Sequence, residues 1–171
     1  MTEQVVLVNE FDEAIGTMEK LEAHRQGVLH RAFSIFVFKD HNELLLQQRA
    51  PHKYHSGGLW TNTCCSHPRP DESVEQAAHR RLKEEMGFDC QMQKAFHFIY
   101  KVDLDNNLVE HELDHVLIGQ YNQKPELNPD EATDAQFMAL KTVQQHIAQR
   151  PEDFTYWFKI AIQLMADKKI I

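Results

Sequence analysis

Three cysteines in 171 residues, two of them adjacent, are too few and too unevenly spaced for a disulfide framework. In a reducing compartment they stay thiols, so burial or reactivity must account for them. No run approaches the ~18 consecutive apolar residues of a membrane span. The amino-terminal MTEQVVLVNE has neither a basic n-region nor a long apolar core. A cytoplasmic protein without a membrane partner is expected. Positive charge is also scarce: 18 Lys and Arg against 26 Asp and Glu leave a formal charge of -8, and no basic stripe offers itself to nucleic acid. An anionic small molecule would need a metal ion or a local basic cluster to receive it. Linkers, repeats and low-complexity tracts are absent, and 42% apolar content supports one sizeable core. A single domain over residues 1–171 is expected.

Strand and helix signals intermix along the chain. QVVLV (4–8) reads as a strand and MEKLEAHRQ (18–26) as a short helix or irregular segment. FSIFVF (33–38) and LLLQQR (44–49) read as a hairpin across the turn KDHNE. Pro51, Gly57 and Gly58 make 50–59 a loop, after which LWTNTCC (59–65) is extended. A helix capped by Asp71 or Ser73 carries Val74, Ala78, Leu82 and Met86 at four-residue intervals and stops at Gly87. FHFIYKVDL and LVEHELDHVLIGQY flank the turn DNN as a second, longer hairpin. AQFMAL, a helix near 141–149 and an amphipathic helix from Thr155 to Lys168 follow.

Adjacent cysteines in a strand face opposite ways. Cys65 therefore shares a face with His67 and is the chemical candidate, while Cys64 belongs to the core. In VEHEL, Glu110 and Glu112 share one strand face and His111 takes the other. With His24, His30 and His67 they make a mixed imidazole and carboxylate set, which suits a divalent transition metal or magnesium.

The segment from Ser66 to Phe88 can be laid against the Nudix pattern of Gly, five residues, Glu, seven residues, then REUxEExGU. Glu72, Arg80, Leu82, Glu84, Glu85, Gly87 and Phe88 fall in place. Two positions depart: Ser66 stands for the first glycine and Arg81 for the glutamate after the arginine. That glutamate helps hold metals in Nudix hydrolases, whereas an arginine grips a diphosphate oxygen.

Together with GTMEKLEAH (16–24), LHRAFS (29–34), QQRAPHKYHSGGLWTNTCCSHP (47–68), LVEHEL (108–113) and Trp157, this pattern resembles the type I isopentenyl diphosphate isomerases. The resemblance spans nearly the whole chain. Its most telling element is Thr61, Asn62, Cys65, His67 and Pro68. It implies the Nudix fold, an α/β architecture of α+β type with mixed and antiparallel sheets flanked by helices. It further implies one Mn2+, Zn2+ or Mg2+ on His24, His30, His67, Glu110 and Glu112. A second ion, Mg2+, would rest on the diphosphate, Glu85 and the Cys65 carbonyl. By the same resemblance Cys65 and Glu112 are the acid/base pair with Tyr100 alongside, and Trp157 faces a carbocation. Lys20, Arg49, Lys53 and Arg81 clamp the diphosphate. The expected partner is isopentenyl diphosphate, taken by a monomer or weak dimer. A Nudix hydrolase of a diphosphate and a non-enzymatic metal binder remain the alternatives.

Overall fold

The computed structural model describes residues 3–171. Strands β1 (Gln4–Val8) and β2 (Ala14–Glu19) form a hairpin, followed by helix α1 (Lys20–Gln26). Strand β3 (His30–Lys39) turns into β4 (Glu43–Arg49), and the short β5 (Trp60–Thr61) and β6 (Cys64–Ser66) precede α2 (Val74–Met86). Next come β7 (Met92–Asp103), β8 (Val109–Gln120), β9 (Ala132–Ala139), α3 (Leu140–Gln149) and α4 (Tyr156–Asp167).

The strands join in one branched sheet centred on β3. β3 pairs antiparallel with β1, β6 and β4 in turn, and in parallel with β8 from His30 opposite Glu112 to Phe38 opposite Gln120. A parallel pair needs a crossover, and α2 lies within it. A strand flanked on both edges and covered on both faces reads as a near-continuous apolar run, which is why SIFVF shows no polar alternation.

Side-chain alternation divides the core between the two sheet faces. Phe36, Phe38, Leu44 and Leu46 pack against Trp157, Phe158, Ala161 and Met165 of α4. Phe33, Ile35, Val37, Leu45 and Cys64 pack against Val74, Ala78, Leu82 and Met86 of α2. Each fully buried large apolar side chain contributes about 1.5–3 kcal/mol. Cys64 is thus a core residue, as the alternation implies.

One local expectation is corrected and one open choice is settled. The segment before α1 is not helical from residue 18: Met18 and Glu19 end β2, and the Glu19 carboxylate caps α1 by accepting from Leu21 and Glu22. β2 escaped the sequence reading because its first four residues are exposed and carry no apolar alternation. Of the two cap candidates for α2, Ser73 serves, in a reciprocal capping box with Gln76. Glu72 instead forms a two-point ion pair with Arg80, at 2.7 and 2.8 Å, tying the preceding loop to the helix.

Gly87 ends α2 at φ +72°, and a Cβ there would collide with the Glu126 carbonyl. This approach lets Glu126 and Asn128 donate backbone N–H groups to Met86 and Glu85, closing the helix end and fixing the loop that leads to Glu131. Gly87→Ala should therefore lose more than the ~1 kcal/mol of a left-handed non-glycine residue. Urea unfolding at unchanged m-value measures it, and a wild-type midpoint would refute the constraint.

Candidate active site

The segment TNTCC is polar glue as much as strand. Thr63 Oγ1 donates to Leu45 O (2.7 Å) and accepts from Val37 N (2.9 Å), joining β3 to β4. Asn62 Nδ2 donates to Ile35 O and Cys64 O, while its Oδ1 accepts from the Thr61 hydroxyl and from Trp157 Nε1 at 3.2 Å. All three side chains are fully buried, so each bond replaces a costly loss of hydration. The result fixes Cys65 and Trp157 together on the α4 side of the sheet, where both line one cavity.

The histidines gather at one wall of this cavity. Donor atoms of His24 on α1, His30 on β3, His67 beyond β6 and Glu112 on β8 all lie within 4.8 Å of one another. His24 Nδ1 donates to Lys20 O at 2.7 Å and His30 Nδ1 to Val28 O at 2.8 Å. Both rings therefore turn Nε2 inward, the outer-partner pattern of metal-bound imidazoles. Neither Nε2 makes a hydrogen bond, nor do His67 Nδ1 and Glu110 Oε2. Burial holds His24 below the usual imidazole range and His67 at about 4, so both are neutral donors near pH 7. Orphaned, buried, neutral nitrogens beside carboxylates suit a divalent cation. Glu110 stands slightly apart: its donor atoms group with His24 and with His55 rather than with the four.

Glu112 is the pivot of the site. Its Oε1 accepts from His67 Nε2 at 2.8 Å and lies 3.5 Å from His30 Nε2, while its Oε2 accepts from the Tyr100 hydroxyl at 2.7 Å. Tyr100 reaches it because the two residues sit directly opposite in the β7–β8 ladder. Burial alone would raise the Glu112 carboxyl, but the two imidazoles hold it well below the usual range. Burial and Glu112 push Glu110 the other way, well above it. Cys65 is raised well above the ordinary thiol range by burial, with the Arg49 guanidinium, 3.9 Å from Sγ, pulling against it. Burial thus favours the thiol form of Cys65, while the imidazoles favour the ionised form of Glu112.

Four basic side chains, Lys20, Arg49, Lys53 and Arg81, interleaved with carboxylates that include Glu85, also line the cavity. Arg81 bridges Glu84 (2.7 Å), Glu85 (2.6 Å) and Glu131 (2.8 Å), and Lys53 pairs with Glu131 as well. Burial would raise Glu131, yet Arg81 and Lys53 take it down to about 2. Gln47 Nε2 holds the other Glu85 oxygen at 3.0 Å. Arg49 lies over the Trp157 ring, 5.3 Å from its centroid.

Every site residue expected from the sequence lines this cavity except Tyr100 and His24, which hydrogen-bond to Glu112 and Lys20, and His30, whose Nε2 lies 3.5 Å from Glu112. Gln47, His55 and Glu131 were missed. Gln47 lies in QQR beside Arg49, where a strand polar residue looks solvated; His55 and Glu131 lie in irregular segments without periodicity.

Residues 28–158 match the NUDIX domain family. Isopentenyl-diphosphate Delta-isomerase 2 of Aromatoleum aromaticum is 52% identical over 157 residues, 92% of this chain and 83% of that one. Isopentenyl-diphosphate Delta-isomerase of Pectobacterium atrosepticum is 49% identical over 164 residues, 96% and 92% of the two chains. The crystal structure of the MutT protein from Methanosarcina mazei shares the fold at a TM-score of 0.69 and 15% identity, covering 82% of this chain and 95% of that one. Whole-length identity near one half, on a cavity that joins the His/Glu set to Cys65, places the chain in the isopentenyl-diphosphate Delta-isomerase family, built on the NUDIX fold.

Proposed function

We propose that this protein interconverts isopentenyl diphosphate and dimethylallyl diphosphate through a tertiary carbocation, as a cytoplasmic enzyme acting on a small molecule. The observation that carries the reading is Cys65 and Glu112 in one cavity with a His/Glu set and four basic side chains. Isomerisation adds a proton at the terminal alkene carbon and removes one from the carbon two positions away. It needs two proton-handling groups and no nucleophilic water.

In the forward direction Glu112 as the carboxylic acid gives its proton, the Tyr100 hydroxyl steadies the carboxylate that forms, and Cys65 as thiolate takes the allylic proton. That leaves Glu112 ionised and Cys65 as thiol, the distribution that the electrostatics of this structure favour. The same state is ready for the reverse reaction. Between forward turnovers the proton must return from sulfur to carboxylate by exchange with solvent. Trp157 faces the carbocation with a cation–π contact of up to ~2 kcal/mol in a dry pocket. His24, His30, His67, Glu112 and Glu110 would hold a magnesium, manganese or zinc ion, and Glu85 and the Cys65 carbonyl a magnesium, whose charge would sharpen the acid and offset that of the diphosphate. Lys20, Arg49, Lys53 and Arg81 hold the diphosphate end.

A diphosphate hydrolase fits less well, because Arg81 stands where the Nudix pattern of the hydrolases has a metal-holding glutamate. The two readings separate in heavy water. With isopentenyl diphosphate and magnesium, proton and phosphorus resonances followed together should show deuterium entering a methyl group of dimethylallyl diphosphate while the diphosphate stays intact. Stoichiometric phosphate release with an unlabelled carbon chain would replace the isomerase reading with the hydrolase one.

A further inference from the structure

One buried titratable side chain has no part in this chemistry. His55, in the loop between β4 and β5, is 3% exposed. Its Nδ1 lies 3.2 Å from the Ser56 hydroxyl, and its Nε2 faces Glu110, 3.4 Å from Oε1. The ring is held edge-on by Tyr54, with centroids 4.4 Å apart, and by Trp157 at 5.8 Å, while the backbone carbonyl accepts from Arg49 Nη2 at 3.1 Å. So confined an imidazole has little freedom to turn its Nε2 elsewhere. Neither that nitrogen nor Glu110 Oε2 makes a hydrogen bond, and of the five ligands expected for the His/Glu ion Glu110 is the one outside the four-donor group.

We propose that His55 is a positioning residue for Glu110. The Ser56 hydroxyl donates to His55 Nδ1, the His55 Nε2–H closes the 3.4 Å gap to Glu110 Oε1 when a cation binds, and Oε2 is thereby presented to the cation held by His24, His30, His67 and Glu112. This rests on the reading of the His/Glu set as a cation site. The proton on Nε2 occupies the nitrogen that a cation would need, so His55 orients a ligand and is not one itself. Outer partners of this kind are worth about 10- to 100-fold in metal affinity. The position fits the requirement: a carboxylate next to another carboxylate on the same strand face needs a neutral donor to hold it without competing for the cation.

The test is manganese binding to the whole protein without substrate, read from the electron paramagnetic resonance of free Mn2+, in wild type, His55→Leu, His55→Gln, Glu110→Gln and the His55→Leu/Glu110→Gln double variant. Leucine keeps bulk against Trp157 and removes the donor, whereas glutamine restores an N–H. His55→Leu should weaken binding about 10- to 100-fold, His55→Gln should recover most of it, and in the Glu110→Gln background the leucine should cost nothing further. Wild-type affinity in His55→Leu, or an equal loss with and without Glu110, would overturn the proposal. A wild type that bound no manganese would instead remove the cation reading and this inference with it. Should His55→Leu fail to fold, nitrogen-15 shifts of the zinc-loaded wild type decide: the His55 proton belongs on Nε2, and a zinc-bound Nε2 would refute the assignment.

Discussion

Cys65→Ser should lower isomerisation by about 10²- to 10⁴-fold, the span that a positioned proton-transfer group contributes. Serine fits the space and keeps a polar atom near Arg49, so the fold and the bound metal should persist. What it cannot do is exist as an anion at neutral pH. Cys64→Ser is the control that the fold itself provides. It lies one residue away on the opposite face, among Ile35, Val74 and Leu82, with no exposure. A hydroxyl there should cost about 1–3 kcal/mol of stability and leave the turnover of the folded fraction near wild type. Circular dichroism with urea and initial rates on the same samples separate the two effects. If both variants lost activity equally while fully folded, the division of the two cysteines between core and chemistry would be wrong.

That division was readable from sequence because a strand alternates with period two, and the same rule put Glu110 and Glu112 on the cavity side with His111 facing away to Gly27. The α2 helix was equally plain, since RRLKEEMGF repeats its apolar positions and ends at a left-handed glycine. Neighbourhood was not. Ser34 donates to Asp114, 80 residues away, because β3 and β8 run in parallel. Local patterning carries no information about such a pairing, whose partners are chosen by the crossover and the shared core. The site lies at this seam, so convergence of His30 with Glu112 rested on family resemblance and not on spacing. His55 and Glu131 were invisible for a different reason. Each is placed by an irregular loop whose shape depends on what it packs against: His55 on Tyr54 and Trp157, Glu131 on Lys53 and Arg81. The proton distribution was also beyond the sequence, because burial, which exists only in the folded chain, is the largest influence on Cys65.

Glu112→Gln should abolish turnover more completely than any other single change at the cavity, because one carboxylate serves two purposes. It accepts from His67 and from the Tyr100 hydroxyl, and it belongs to the four-donor set. The amide is isosteric. Its oxygen can still accept from Tyr100 and its shape fills the same space, so the fold should hold. The amide lacks the charge that binds a cation and the proton that an alkene requires. Metal affinity should therefore fall together with rate, and excess manganese should restore occupancy without restoring turnover. Tyr100→Phe supplies the comparison. It removes only the hydroxyl at 2.7 Å from Oε2, leaves the anionic ligand in place, and should retain metal while losing a smaller part of the rate. Titrating manganese into wild type and both variants, then assaying each at saturation, distinguishes ligand from acid. Turnover of saturated Glu112→Gln within tenfold of wild type would show that the proton comes from elsewhere, with Tyr100 itself the next group to examine.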